Sequence, residues 1–350
     1  MRTLFSRISM MAVLISWAVA PAQNASAPAD SATNQVPLEV FRAGKLIAWP
    51  GGDLFPEEKR RSGGEGWVDL AMMVDTHGKP FEIGVLRSTG NKQFEDAAIK
   101  YVAQIRYEPA TVSGHPVEWA TEYRVTYRLH GMPRGESAAF IKAYKDVATA
   151  IDAGDRSAAD AAMAKLKIGN LYEDAFFGMA SFYYARAWGS ESDQLAGLRR
   201  AIGNDKDGSY LPAAMLGVAL ANCLRLELNV HEYAEAMQTW ERLQKARVDP
   251  AVLAKFKPVM DQVLTLKSNN IEYSVDGTLS DGYWDPGLFK RHFRIEVRDG
   301  AIAEVKLLCE RQFIGVKFDP TIRYEVNGRA GDCRLRLEGT PGTRVRLYQS

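Results

Sequence analysis

From Val117 to Leu129 the chain alternates without a break between two kinds of residue. Val117, Trp119, Thr121, Tyr123, Val125, Tyr127 and Leu129 fall on one side, and Glu118, Ala120, Glu122, Arg124, Thr126 and Arg128 on the other. Side chains of a strand point to opposite faces in turn, so this run predicts a long β-strand with one face on an apolar layer and one in water. Upstream, Trp67 to Asp75 repeats the pattern with Val68, Leu70, Met72 and Val74 on its apolar face. Asp75-Thr76-His77-Gly78-Lys79 interrupts it, and Gly78 supplies the positive φ that a short hairpin needs. A return strand follows, with Phe81, Ile83 and Val85 on one side. Phe94, Ala97, Ala98, Tyr101, Val102 and Ile105 then recur at the spacing of an amphipathic helix. Asn91 stands at its N-cap and Pro109 just beyond its end. Strand, strand, helix, strand makes a small α+β sandwich.

In this order and spacing, the residues resemble the C-terminal domain of the TonB energy-transducer family. The resemblance begins at Phe55-Pro56, continues through Gly63-Gly64-Glu65-Gly66-Trp67-Val68, Val74-Asp75-Thr76-His77-Gly78 and Ser88-Thr89-Gly90, and takes in the helix from Ala97-Ala98 to Pro109-Ala110. Gly114-His115-Pro116-Val117 then leads into the long strand. It covers about eighty residues, less than a quarter of the chain. Ile105 stands where the family commonly has Trp, and a branched aliphatic fills the same core position.

The resemblance implies binding by strand addition. In the family this domain captures a short extended peptide, the TonB box of an outer-membrane transporter, along an exposed sheet edge. An edge strand offers unpaired N–H and C=O groups to a guest. The residues from Val117 to Leu129 are the candidate edge. Glu118, Glu122, Arg124 and Arg128 either tune the partner or form a solvated face that protects the edge from aggregation. The family's transducers also keep an uncleaved membrane helix carrying a histidine, and a long proline-rich spacer. This chain has a short apolar segment without histidine and only Pro28 and Pro37 scattered in its lead-in, which puts coupling to the proton gradient in doubt.

That apolar segment, Ile8 to Ala20, follows Arg2 and Arg7 and is about thirteen residues long. A spanning helix needs roughly 20. It reads as an export signal over residues 1–22, cut after Ala20-Pro21-Ala22 in preference to Ala25-Ser26-Ala27, with an inner-membrane anchor as the alternative. The expected location is the periplasm, where Cys309 and Cys333 could pair. Cys223, in an alanine-rich helical stretch, reads as a small buried apolar residue.

The whole chain is read as multidomain α+β: a flexible lead-in over 23–49, a TonB-type ββαβ domain over 50–131, an all-helical repeat-like region over 134–268 and a small antiparallel β module over 271–350. In the helical part, Tyr233 to Leu243 resembles the second helix of a tetratricopeptide repeat. Phe176, Phe177, Phe182, Tyr183, Tyr184 and Trp188 are core residues or, less economically, the lining of a peptide groove. In the C-terminal part Asp299-Gly300 marks a hairpin, and about six short strands suggest a sandwich or barrel.

Catalytic chemistry is not visible. The five histidines (His77, His115, His130, His231, His292) show no ligand spacing, and there is no nucleophile elbow, phosphate loop or dinucleotide fingerprint. No cofactor or metal is expected, and a hydrolase built on two carboxylates is the only enzymatic reading left. With 44 basic against 43 acidic residues the net charge is +1, which gives nucleic acid no electrostatic footing. The expected partners are proteins or peptides of the cell envelope, among them TonB-dependent outer-membrane transporters, with energy-coupled transport left open. The alternative is a helical-repeat envelope scaffold whose TonB-like domain is purely structural.

Overall fold

The computed structural model describes residues 41–51, 54–129, 135–203 and 210–350. The expected export signal, the first part of the lead-in and His130 lie outside the described residues. Two short strands come first, β1 (Phe41–Arg42) and β2 (Lys45–Ala48). Both fall in the stretch expected to be a flexible lead-in, and both are recruited by strands far along the chain. After α1 (Glu57–Ser62) come β3 (Gly66–Val74), β4 (Pro80–Ser88), α2 (Lys92–Val102), β5 (Arg106–Glu108), β6 (Ala110–Val112), β7 (His115–Val117) and β8 (Trp119–Tyr127). β1 pairs with β6, β2 with β5, and β6 with β7.

The central sheet is antiparallel, in the order β4-β3-β8. Its register sets Val68 opposite Val125, Leu70 opposite Tyr123, Met72 opposite Thr121 and Val74 opposite Trp119. This face is closed by α2 and the turn after it, through buried Phe94, Ala98, Val102 and Ile105. The Asn91 side chain caps α2 by accepting from the N–H groups of Gln93 and Phe94, and Phe94 stacks on Tyr127 at 4.4 Å between centroids. Gly78 has φ +79°, and a Cβ there would stand 1.8 Å from the Tyr107 carbonyl oxygen. Hairpin and β5 therefore meet backbone to backbone, with Tyr107 N–H donating to the Gly78 carbonyl at 2.9 Å.

Two expectations for this part are corrected. The long strand spans Trp119–Tyr127, since Val117 belongs to the β6–β7 hairpin turned at Ser113-Gly114 and the Leu129 N–H donates to Glu65 Oε1 at 2.9 Å instead of a ladder partner. The face expected to be wet is covered along β3, while Glu122 and Thr126 of β8 stay exposed. All nine residues of β3 are buried, including Trp67, Asp69, Ala71 and Met73, which point away from α2.

The cover begins with the helical middle: α3 (Ala138–Asp152), α4 (Arg156–Met163), α5 (Leu171–Trp188), α6 (Glu191–Gly203), α7 (Ala213–Asn229), α8 (Tyr233–Lys245) and α9 (Pro250–Ser268). Trp67 enters their core beside Leu171, Met179 and Ile202, and Gly203 at the end of α6 makes room for it, since a Cβ there would lie 2.7 Å from the indole. Phe182 is buried in the same core and Phe176 and Tyr183 pack against it. No helix among the described residues is long and apolar enough to cross a membrane.

The rest of the chain is β9 (Tyr273–Thr278), β10 (Tyr283–Trp284), β11 (His292–Asp299), β12 (Ile302–Cys309), β13 (Gln312–Lys317), β14 (Tyr324–Glu325), β15 (Cys333–Gly339) and β16 (Arg344–Gln349). These strands make two four-stranded antiparallel sheets, β10-β15-β12-β13 and β14-β11-β16-β9. Val305, Leu307, Leu335 and Leu337 from one and Phe293, Ile295, Val345 and Leu347 from the other share one core. Cys309 and Cys333 are directly paired residues of β12 and β15, joined by a disulfide. The opposite face of the first sheet meets the β4-β3-β8 sheet through charges. Lys306 Nζ reaches Glu82 at 2.9 Å, Arg334 reaches Glu122 at 3.1 Å, and Arg336 Nη1 donates to the Glu82 carbonyl at 3.3 Å.

Candidate peptide-binding edge

Among the described residues β8 has one hydrogen-bonded neighbour, β3. Among the described residues no backbone group from Trp119 to Tyr127 bonds to anything beyond that ladder. β12 and β13 pass close to β8 without pairing with it. The strand therefore keeps a row of outward N–H and C=O groups, the chemical requirement for accepting a guest strand.

The expected edge residues divide by face. Trp119, Thr121, Tyr123, Val125 and Tyr127 pack toward α2. Burial pushes the Tyr127 phenol well above its ordinary range, and its hydroxyl donates to the Phe94 carbonyl at 3.0 Å. Ala120, Glu122, Arg124 and Thr126 point the other way, and two of their charges have internal partners. Arg124 grips buried Asp69 with both arms, Nε to Oδ1 and Nη2 to Oδ2 at 2.7 Å each. Its Nη1 donates to the Gly203 carbonyl at 2.6 Å, and the guanidinium lies 4.4 Å from the Trp67 ring centroid. Glu122 is held by Arg334. Arg128 lies over the ring of Tyr210. Glu118 lies between β7 and β8, and Val117 and Leu129 fall outside β8.

The other family-motif residues shape the support. Phe55 meets Phe94 and Tyr127 edge-on at 5.8 and 5.6 Å. Pro56 precedes α1, Ala97 packs against the α2 core, and Ala110, fully buried, opens β6 after Pro109. Gly66 lets Phe94 and Thr89 approach, since a Cβ would meet both within 2.7 Å. Asp75 accepts from the N–H groups of His77 and Lys79 at 2.8 Å, which closes the hairpin. Gly90 holds φ +77° ahead of α2.

Two features beside the edge lie outside the sequence expectation. Ile47 and Trp49 are 64% and 61% exposed, and the Trp49 indole N–H donates to the Tyr123 hydroxyl at 3.1 Å. On the opposite face a cavity of about 490 Å³ adjoins Ala71, Ala120 and Glu122 and is walled by α8, α9 and the C-terminal strands. An apolar Ile-Ala-Trp in a polar lead-in was the one available signal for the first. The second comes from segments far apart in the chain and leaves none. Among the described residues no cluster of His, Cys, Asp and Glu could hold a metal ion.

An antiparallel sheet, one helix on one face and the last strand at its margin define the class of this module. Residues 53–129 match the family described as Gram-negative bacterial TonB protein C-terminal, so the chain carries a TonB C-terminal domain. Among solved structures, the solution NMR structure of Pseudomonas aeruginosa TonB CTD is 21% identical, covers 26% of this chain and 90% of that one, and has a TM-score of 0.23. No curated protein matches the sequence significantly. The helices and the C-terminal sheets lie beyond the family match.

Proposed function

We propose that this is a TonB-like protein of the cell envelope that docks extended peptide segments of envelope partners, such as TonB-dependent outer-membrane transporters, by adding them as a strand to β8. One observation carries the reading: among the described residues nothing bonds to the outer side of the Trp119–Tyr127 backbone. The helical middle, read as a tetratricopeptide-like array, and the C-terminal sheets hold that edge in place, and the protein works by binding, without catalysis. The site of action is the periplasm.

Titration of TonB-box peptides onto the full chain tests the reading. Neighbouring residues of a strand aim their N–H groups at opposite sides, so of Thr121→Pro and Glu122→Pro one removes an outward donor and the other a ladder bond. Saturable binding that disappears in the variant retaining wild-type stability supports strand addition. Unchanged binding in both refutes it.

A second reading, an envelope scaffold in which the TonB-like domain is purely structural, is favoured by the burial of the β3 residues that point away from α2, with Trp67 packed among the chain's later helices. Failure of every extended peptide to bind would select it.

A further inference from the structure

Strand addition to β8 leaves the neighbouring cavity without a role. A guest strand sends alternate side chains to the two faces of the sheet, and the residue opposite Ala120 or Glu122 points the same way as they do. On that side lies the cavity of about 490 Å³ that both residues line. Its remaining walls come mainly from α8, α9 and the C-terminal strands, outside the family-matched residues 53–129. Selectivity exerted there would belong to this architecture and not to the TonB-type fold.

The walls have two chemistries. Met237, Leu288, Phe289 and Leu308 supply apolar surface. Of the charges, Glu122 and Arg334 neutralise one another at 3.1 Å, and the Lys267 ammonium sits 5.7 Å from the Phe289 ring centroid. Glu241 and Asp332 also line the cavity, and among the described residues neither takes part in an ion pair. Two uncommitted carboxylates against one ammonium leave the cavity with an acidic excess. A long side chain with an apolar stem and a cationic head matches both chemistries, its stem along the hydrophobic wall and its head at the carboxylates.

Resting on the proposal that β8 accepts a guest, we infer that this cavity is a specificity pocket for a lysine or arginine of the guest strand, placed opposite Ala120 or Glu122.

The test uses the full chain and acetylated eight-residue peptides of alternating Thr and Val, with Lys, Leu or Asp placed in turn at each interior position. Affinities are read by fluorescence anisotropy at low salt. In one register the Lys peptide binds about fivefold tighter than its Leu counterpart, as exposed ion pairing supplies, and the Asp peptide binds weakest. Combining Glu241→Gln with Asp332→Asn, both at exposed positions, erases the Lys preference and leaves the Leu peptide unchanged. Equal binding of Lys and Leu peptides to the wild type overturns the pocket alone, as does a preference that survives in the double variant. Binding by no peptide at all overturns strand addition, and the pocket with it.

Discussion

Replacing Arg124 with Met should be among the most damaging single changes in the TonB-type domain. The guanidinium makes two bonds of 2.7 Å to Asp69, whose side chain is only 3% exposed, and one of 2.6 Å to the Gly203 carbonyl. Losing one partner of a buried pair costs about 3–5 kcal/mol, because the remaining charge stays desolvated. Arg87, 3.8 Å from Asp69 Oδ2, offers partial compensation, which points to the lower end, about 3 kcal/mol. Replacing both charges should cost far less than the two single changes together, since a buried pair is often close to neutral against apolar residues of similar volume. A double-mutant cycle of Asp69→Leu and Arg124→Met, followed by urea unfolding with tryptophan fluorescence, should return a coupling of about 2–3 kcal/mol. Trp67 reports directly, because its ring lies beneath the guanidinium. Additivity within about 0.5 kcal/mol, or a cost for Arg124→Met below about 1 kcal/mol, would refute the argument and return the pair to the class of surface ion pairs.

Three further outcomes follow. Replacing Cys309 and Cys333 by Ser opens a link with a sequence separation of 24 and should lower stability by about 3.5 kcal/mol in the chain-entropy model; a loss under about 1 kcal/mol in urea would contradict it. Cys223 is fully buried, and burial pushes its thiol well above the ordinary value. The folded protein should stay silent to a thiol-reactive disulfide reagent at pH 8 and react once unfolded, whereas rapid labelling of the native state would show that the α7 core opens. Burial raises the Tyr107 hydroxyl from 10.0 to about 12. Its contribution to stability is therefore complete below pH 10 and lost as the pH climbs toward 12. Tyr107→Phe should move the alkaline unfolding midpoint, read at 295 nm, upward; an unchanged midpoint would count against it.

What could be read from the chain divides by the range of the interaction. Period-two runs revealed β3, β4 and β8, and the apolar stripe with Asn91 at its head revealed α2, because hydrophobic spacing and capping are local. The C-terminal strands from Phe293 onward and the cysteine pair were legible for the same reason. The covered second face was not. Arg124 sits in what has the composition of a solvated row, and a charge buried against a distant partner leaves no trace in its neighbours. Nor did Asp69, within an otherwise apolar β3, announce an arginine fifty-five positions away. β1 and β2 are too short to show a period and owe their form to β6 and β5. The candidate edge was visible as a strand, while the cavity beside it required α8, α9 and β15 to converge from far apart in the chain.

The grip of Arg124 has a mechanical consequence. Tension applied along a ligand zipped to β8 loads the β3–β8 rungs in shear, and the same guanidinium passes part of that load through Asp69 and Gly203 into the end of α6. The β3–β8 pair is thus tied to the end of α6, so tension along the strand would reach the helices before it peeled β8 away.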